Sequence, residues 1–146
     1  MITYKSLERS DLEAIGDLYV KAFNGPPWHD KWTKETAIKR LGQMIGCEDS
    51  YGLIAYDADK PIGMVLGNME YFYDCTHFHL KELCVDPDIK GKGIGSKLMK
   101  EFMERLKEKK VDKLLLWTLR CSEMVSFYNK QGFKVEDDLV VMMHSI

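Results

Sequence analysis

The chain has 146 residues, a formal net charge of −2 and 45% apolar residues, which suits one domain over residues 1–146 with a core that needs neither metal nor disulfide. The acidic balance argues against a nucleic-acid partner, and no run of 18 apolar residues offers a membrane span. Cys47, Cys75, Cys84 and Cys121 lack CxxC spacing, so neither a structural zinc site nor a redox pair is expected.

The first twenty residues hold no apolar signal core. With four unpaired thiols this points to a soluble, reducing, cytoplasmic setting. "MITYKSLER" alternates and predicts a strand. Ser10 followed by Glu13 has the form of a capping box, and Leu12, Ile15, Leu18, Tyr19 and Ala22 then recur at helical spacing. "NGPPW" breaks that helix. Thr33 caps a second one, closed by Glu35 or more weakly by Thr36, with Ala37, Ile38, Leu41, Met44 and Ile45 as its apolar stripe.

"YGLIAYD" and "IGMVLGNMEYFYD" predict two strands joined by a turn at "DADKP", and "HFHLKELCVD" a third, ended by Asp86-Pro87. Ile94, Leu98, Phe102, Met103 and Leu106 mark a long amphipathic helix, with Lys107, Lys109 and Lys110 complementing its C-terminus. "VDKLLLWTL" reads as a central strand buried on both faces. "SEMVSFYNKQGF" reads as a short helix stopped by Gly132, and "LVVMMHSI" as a final strand. Hairpin-linked strands followed by strand–helix–strand give a mixed α/β sheet with helices packed on it.

Between the third internal strand and the long helix lies "IKGKGIGSKLM". Gly91, Gly93 and Gly95 alternate with Lys90, Lys92 and Ile94, and Ser96 follows. A helix N-terminus presents unpaired N–H groups and partial positive charge, and glycines let an anion approach them closely. Such a loop suits phosphate or pyrophosphate. Neither the Walker A nor the dinucleotide GxGxxG spacing is met. The pattern [Q/R]-x-x-G-x-[G/A] is met by Lys90-Gly-Lys-Gly93-Ile-Gly95, with lysine where glutamine or arginine is usual.

On "ELCVDPDIKGKGIGSKLM" and the later "SFYNKQGF", the sequence resembles the GNAT superfamily of N-acetyltransferases, loosely its small bacterial-type members related to aminoglycoside 6′-N-acetyltransferases. The resemblance implies a GNAT-like fold, a mixed and mostly antiparallel sheet with about four flanking helices, and acetyl-CoA as co-substrate. It assigns the pyrophosphate to Lys90, Gly91, Lys92, Gly93, Gly95 and Ser96. It assigns the pantetheine arm to the backbone of Cys84 and Val85, where the strand splays from its neighbour. Many relatives carry asparagine where Cys121 stands; an amide is thereby exchanged for a weak donor, and Ser122 is the available substitute.

The resemblance also makes Tyr128 the acid that protonates the departing thiolate. A base must take the acceptor amine's proton. His79 falls at the position that relatives use, and Glu82 is the alternative, placed by alternation on the other strand face unless a bulge intervenes. A His77/His79 metal pair lacks a third ligand.

For the acceptor, "FNGPPWHDKW" offers Trp28, Trp32 and Asp30, a combination suited to a cationic amine, and Glu70 and Tyr71 lie near a strand end. The expectation is transfer to the primary amine of a small molecule, with a non-catalytic acyl-CoA-binding domain and a protein or peptide N-acetyltransferase as alternatives. Relatives are often dimers, so a homodimer is also expected.

Overall fold

The computed structural model describes residues 1–146. The elements are β1 (Ile2–Ser6), α1 (Leu12–Phe23), α2 (Lys34–Ile45), β2 (Ser50–Asp57), β3 (Lys60–Tyr71), β4 (Thr76–Val85), α3 (Ile94–Glu108), β5 (Lys113–Leu116) and α4 (Ser122–Lys130). They form one five-stranded sheet in the order β1-β2-β3-β4-β5. The first four strands are antiparallel, and β5 runs parallel to β4. This is the mixed sheet with four helices that the sequence predicts. No helix is long and apolar enough to cross a membrane.

The chain enters α1 through a 3₁₀ turn over Arg9–Asp11. The cap expected at Ser10 is not the one formed. Glu8 and Asp11 cap each other, and the Asp11 carboxylate accepts from the Glu8 N–H at 2.8 Å and from Lys5 Nζ at 2.8 Å. A carboxylate with two donors in reach outcompetes a neighbouring hydroxyl. At α2, Thr33 Oγ1 accepts from the Thr36 N–H and Thr36 Oγ1 accepts from the Thr33 N–H, so Thr36 rather than Glu35 closes the box.

The sheet separates two cores. On one face Ile15, Leu18, Tyr19 and Phe23 of α1 and Ala37, Leu41 and Met44 of α2 pack on Ile54, Met64, Leu66 and Cys84. On the other, Ile94, Leu98, Met99, Phe102 and Leu106 of α3 pack on Leu53, Val65, Phe78 and Leu80.

One irregularity in β4 positions the site. Leu66 pairs with Glu82, but the next residue, Gly67, pairs with Leu80. Lys81 is therefore an extra residue, a bulge. Before it, the even-numbered Phe78 and Leu80 face α3; after it, the even-numbered Cys84 faces α1 and α2. The bulge reverses the alternation and turns Glu82 toward the α1/α2 face, where it meets Tyr19 and Arg40. Gly67 belongs to the same device: a Cβ there would run into the carbonyl oxygen of His79.

Two sequence expectations need correction. The run "VDKLLLWTL" is not a central strand buried on both faces. Only Lys113–Leu116 is strand, it lies at the sheet edge, and Leu114, Leu115 and Leu116 are half-buried. The run "LVVMMHSI" forms no strand, because no ladder partner lies beside it, and its apolar side chains are exposed. Apolar composition marks a segment as fit for a sheet interior without supplying the neighbouring strand.

Candidate active site

The loop after β4 is held from two sides. Burial alone would raise the pKa of the Asp86 carboxyl. Lys21 Nζ at 2.8 Å, the Asp88 N–H at 3.0 Å and Lys60 Nζ at 3.2 Å outweigh it and hold the carboxyl down at about 2. Asp86 thus ties α1 and the β2–β3 turn to the short 3₁₀ turn Pro87–Ile89 that leads into the glycines.

The glycines differ in purpose. Gly91 and Gly93 have φ of +83° and +74°, and Gly93 is the left-handed N-cap of α3. A Cβ at either would meet no atom of the protein within 4 Å, so the space beside them is open. Gly95 is a packing glycine, where a Cβ would stand 3.3 Å from the Phe127 ring. Gly93 offers no side-chain cap, which leaves the first-turn N–H groups of α3 free for an anion. Gln131 Nε2 donates to Ser96 Oγ at 2.9 Å and ties the end of α4 to this turn.

These residues open onto a cavity of about 310 Å³. Lys90, Gly91, Gly93, Gly95 and Ser96 line one end, and Leu83, Cys84 and Val85 line the side. The pairing of β4 with β5 stops at Leu80–Leu116, just before the bulge, so the last part of β4 has no neighbour on that edge. Its backbone N–H and C=O groups are available to an extended ligand arm. This open loop, free helix terminus and unpaired strand edge fit a pyrophosphate with a pantetheine tail. Lys92 and Cys121 line neither this cavity nor the next; Cys121 stands at the N-cap of α4 without a side-chain capping bond.

A second cavity of about 280 Å³ is lined by Tyr19, Trp28, Asp30, Trp32, Arg40, Glu82, Trp117 and Thr118, among others. Phe23, Trp28, Leu83, Met124 and Tyr128 line both cavities. The aromatic loop is fixed in place. Asn24 exchanges two hydrogen bonds with the Trp32 backbone, at 2.8 Å each, and Trp32 Nε1 donates to Asp30 at 3.0 Å. Trp28 packs edge-on against Phe23 with ring centroids 5.5 Å apart.

Tyr128 is buried at the junction. Burial, and secondarily the Glu82 charge, push its phenol up to about 12, so it stays protonated. Glu82 accepts from Arg40 Nε at 2.6 Å and from Tyr19 Oη at 3.2 Å. Burial raises its pKa, and Arg40 and Tyr19 moderate the rise. The Cys84 thiol is buried and its pKa is raised by burial, which keeps it from acting as a nucleophilic thiolate.

The two candidate bases stand differently. Glu82 lines the second cavity. His79 lies outside its lining, half-buried, edge-on to Trp117 at 4.9 Å with Glu70 3.8 Å away, and burial lowers its pKa. Glu70 and Tyr71 sit at the β3–β4 hairpin and line neither cavity. Arg40 and Tyr19 belong to the site without a local sequence signal. Each looks like an ordinary helix residue until the β4 bulge turns Glu82 toward it.

The curated relative from Methanocaldococcus jannaschii, an uncharacterized N-acetyltransferase, is 25% identical over 92% of this chain. The chain spans 62% of that relative's length. Among solved structures, one from Clostridium difficile 630 described as a possible acetyltransferase aligns with TM-score 0.82 at 13% identity, covering 100% of this chain and 99% of its own. An aminoglycoside acetyltransferase from an uncultured soil metagenomic sample, solved in complex with sisomicin, aligns with TM-score 0.75 at 17% identity, covering 99% and 96%. At these identities the structures speak for the fold. A profile of the Acetyltransferase (GNAT) family matches residues 12–133, and the chain belongs to that family.

Proposed function

We propose that the protein is an acetyl-CoA-dependent N-acetyltransferase that moves an acetyl group directly to a primary amine of a small molecule. One observation carries this reading: a cavity reaching the glycine cradle and a cavity holding a carboxylate meet at a single buried phenol, Tyr128.

When bound, acetyl-CoA supplies an activated thioester. The first-turn N–H groups of α3, with Gly91 and Gly93 beside them and Lys90 at the rim, hold its pyrophosphate. The free backbone of Cys84 and Val85 would hold the pantetheine arm, and an N–H of that stretch would be the donor for charge developing on the thioester oxygen. Glu82 takes a proton from the acceptor ammonium, directly or through water, so that the neutral amine attacks. Its raised pKa brings it nearer the working range of a base. Tyr128, a hydroxyl held protonated, would give its phenolic proton to the leaving sulfur and regain one through water as the attacking nitrogen sheds its second proton. Trp28, Trp32 and Asp30 receive the cationic acceptor, and Arg40 keeps Glu82 in place. The second cavity, walled by tryptophans, suits a small acceptor better than a chain.

The test incubates the purified protein with acetyl-CoA and a panel of primary amines and reads free thiol. Amine-dependent thiol release is expected. Tight CoA binding without release would make the protein an acyl-CoA-binding module, and release only with peptide N-termini would move the acceptor to proteins.

A further inference from the structure

Leu80, Lys81, Glu82 and Leu83 are consecutive in β4, and all of them line the second cavity. A regular strand presents only every second residue to one face, so the bulge at Lys81 is what brings the four together. The bulge therefore has two effects on the cavity. It turns the Glu82 carboxylate inward, and it sets an exposed lysine at the rim next to it. No carboxylate of the chain pairs with Lys81. The other cation of the cavity is Arg40. A guanidinium carries five N–H donors, and the Nε–H bond to Glu82 uses one of them. No carboxylate pairs with the two Nη groups, on a side chain that is 41% exposed. Neither cation lines the cavity of the glycine cradle, so neither serves the pyrophosphate.

Asp30 and Glu82 are the acids of the same cavity, and they lie close enough for the Asp30 charge to act on Glu82. The lining is thus balanced, with two carboxylates and two cations. We infer that the acceptor is itself bipolar: a small amine that also carries an oxyanion, a carboxylate or a phosphate. Its ammonium seats against Asp30, Glu82 and the tryptophans, and its oxyanion seats on Lys81 and the Nη edge of Arg40. This rests on the acetyl-transfer reading and adds the acceptor's charge to it.

Charge decides which amines gain from such a lining. A plain alkylamine leaves the donors of Lys81 and Arg40 to water. A polyamine brings a second ammonium against those two cations and is repelled. An amine with an oxyanion pairs both ends, and the planar guanidinium edge matches carboxylate and phosphate alike. Both cations are open to solvent, which screens them, so the contact selects among amines and does not hold one tightly.

Acceptors that differ only at the far end test it: propylamine, diaminopropane, β-alanine and O-phosphoethanolamine, with a longer set built on pentylamine. Each is incubated with acetyl-CoA and the full chain, and free thiol is read. In at least one set, kcat/KM for an oxyanion-bearing amine should exceed that of the plain amine at least about tenfold, with the diamine poorest. The better of carboxylate and phosphate identifies the oxyanion. In Lys81→Glu the order of oxyanion-bearing amine and diamine should reverse, and CoA affinity by calorimetry, within about a factor of three of wild type, shows that the variant is folded. Plain amines that match or exceed their oxyanion-bearing partners in both sets overturn the proposal and leave acetyl transfer standing. Thiol release with none of the amines overturns both. An oxyanion preference that survives Lys81→Glu at full size also overturns the proposal, because the anion then sits elsewhere.

Discussion

Arg40 of α2 reaches Glu82 of β4 through an Nε–Oε1 contact of 2.6 Å, and Tyr19 of α1 donates to the same carboxylate oxygen. Three elements thus converge on one buried acid. Replacing Arg40 with methionine removes a cation that lowers the Glu82 pKa, so that pKa rises. A base must be deprotonated to act, so the acid limb of the kcat/KM profile moves to higher pH, by about one unit. Glu82→Gln should lower kcat roughly 10²-fold or more with little change in CoA affinity. A pH–rate series on both variants checks the pair. An unshifted limb in Arg40→Met would remove Glu82 from the base role.

Tyr128→Phe deletes the phenolic proton and leaves the buried ring. Turnover should fall roughly 10²-fold while CoA affinity stays within about a factor of three, as read by steady-state kinetics and calorimetry. Because the wild-type phenol is held up at about 12, its activity should show no alkaline limb from this group below about pH 10. A variant with normal turnover and weak CoA binding would make Tyr128 a packing residue.

Gly93→Ala places a Cβ at a left-handed N-cap. The strain is about 1–2 kcal/mol, a few degrees in Tm for a chain of this size, because no protein atom stands in the way. CoA affinity should fall at least about tenfold, because the open space beside residue 93 is where the anion is proposed to sit. Gly95→Ala should show the reverse balance, with stability lost first, since its Cβ meets the Phe127 ring. Calorimetry and thermal melts on the two variants separate cradle from packing.

Asp86 predicts a pH window for stability. Its folded pKa of about 2 lies below the unfolded value of about 3.9, so its contribution is fully present above about pH 4 and is lost as pH falls through about 2. The difference in urea-unfolding free energy between wild type and Asp86→Asn should be level from pH 5 to 8, on the order of 2 kcal/mol, and should shrink below pH 4. A difference that persists unchanged at low pH would mean that the ion pairs with Lys21 and Lys60 do not stabilise the fold.

Much of the protein follows from the order of its residues. The periodicities of α1, α2 and α3, the turn at Ala58-Asp59, and the Gly91/Gly93 pattern before an apolar helix are local instructions, because each depends on neighbours within a few residues. The same locality made "SFYNKQGF" legible as a family motif. What tertiary structure alone decided was non-local. A single extra residue at Lys81, opposite Gly67, reversed the facing of β4 and brought Glu82 to Arg40 and Tyr19, and no alternation rule read along one strand contains its partner's register. The status of β5 as an edge, and the exposure of Leu139–Met143, depend likewise on which strands lie alongside, since composition states how apolar a segment is and pairing decides what covers it.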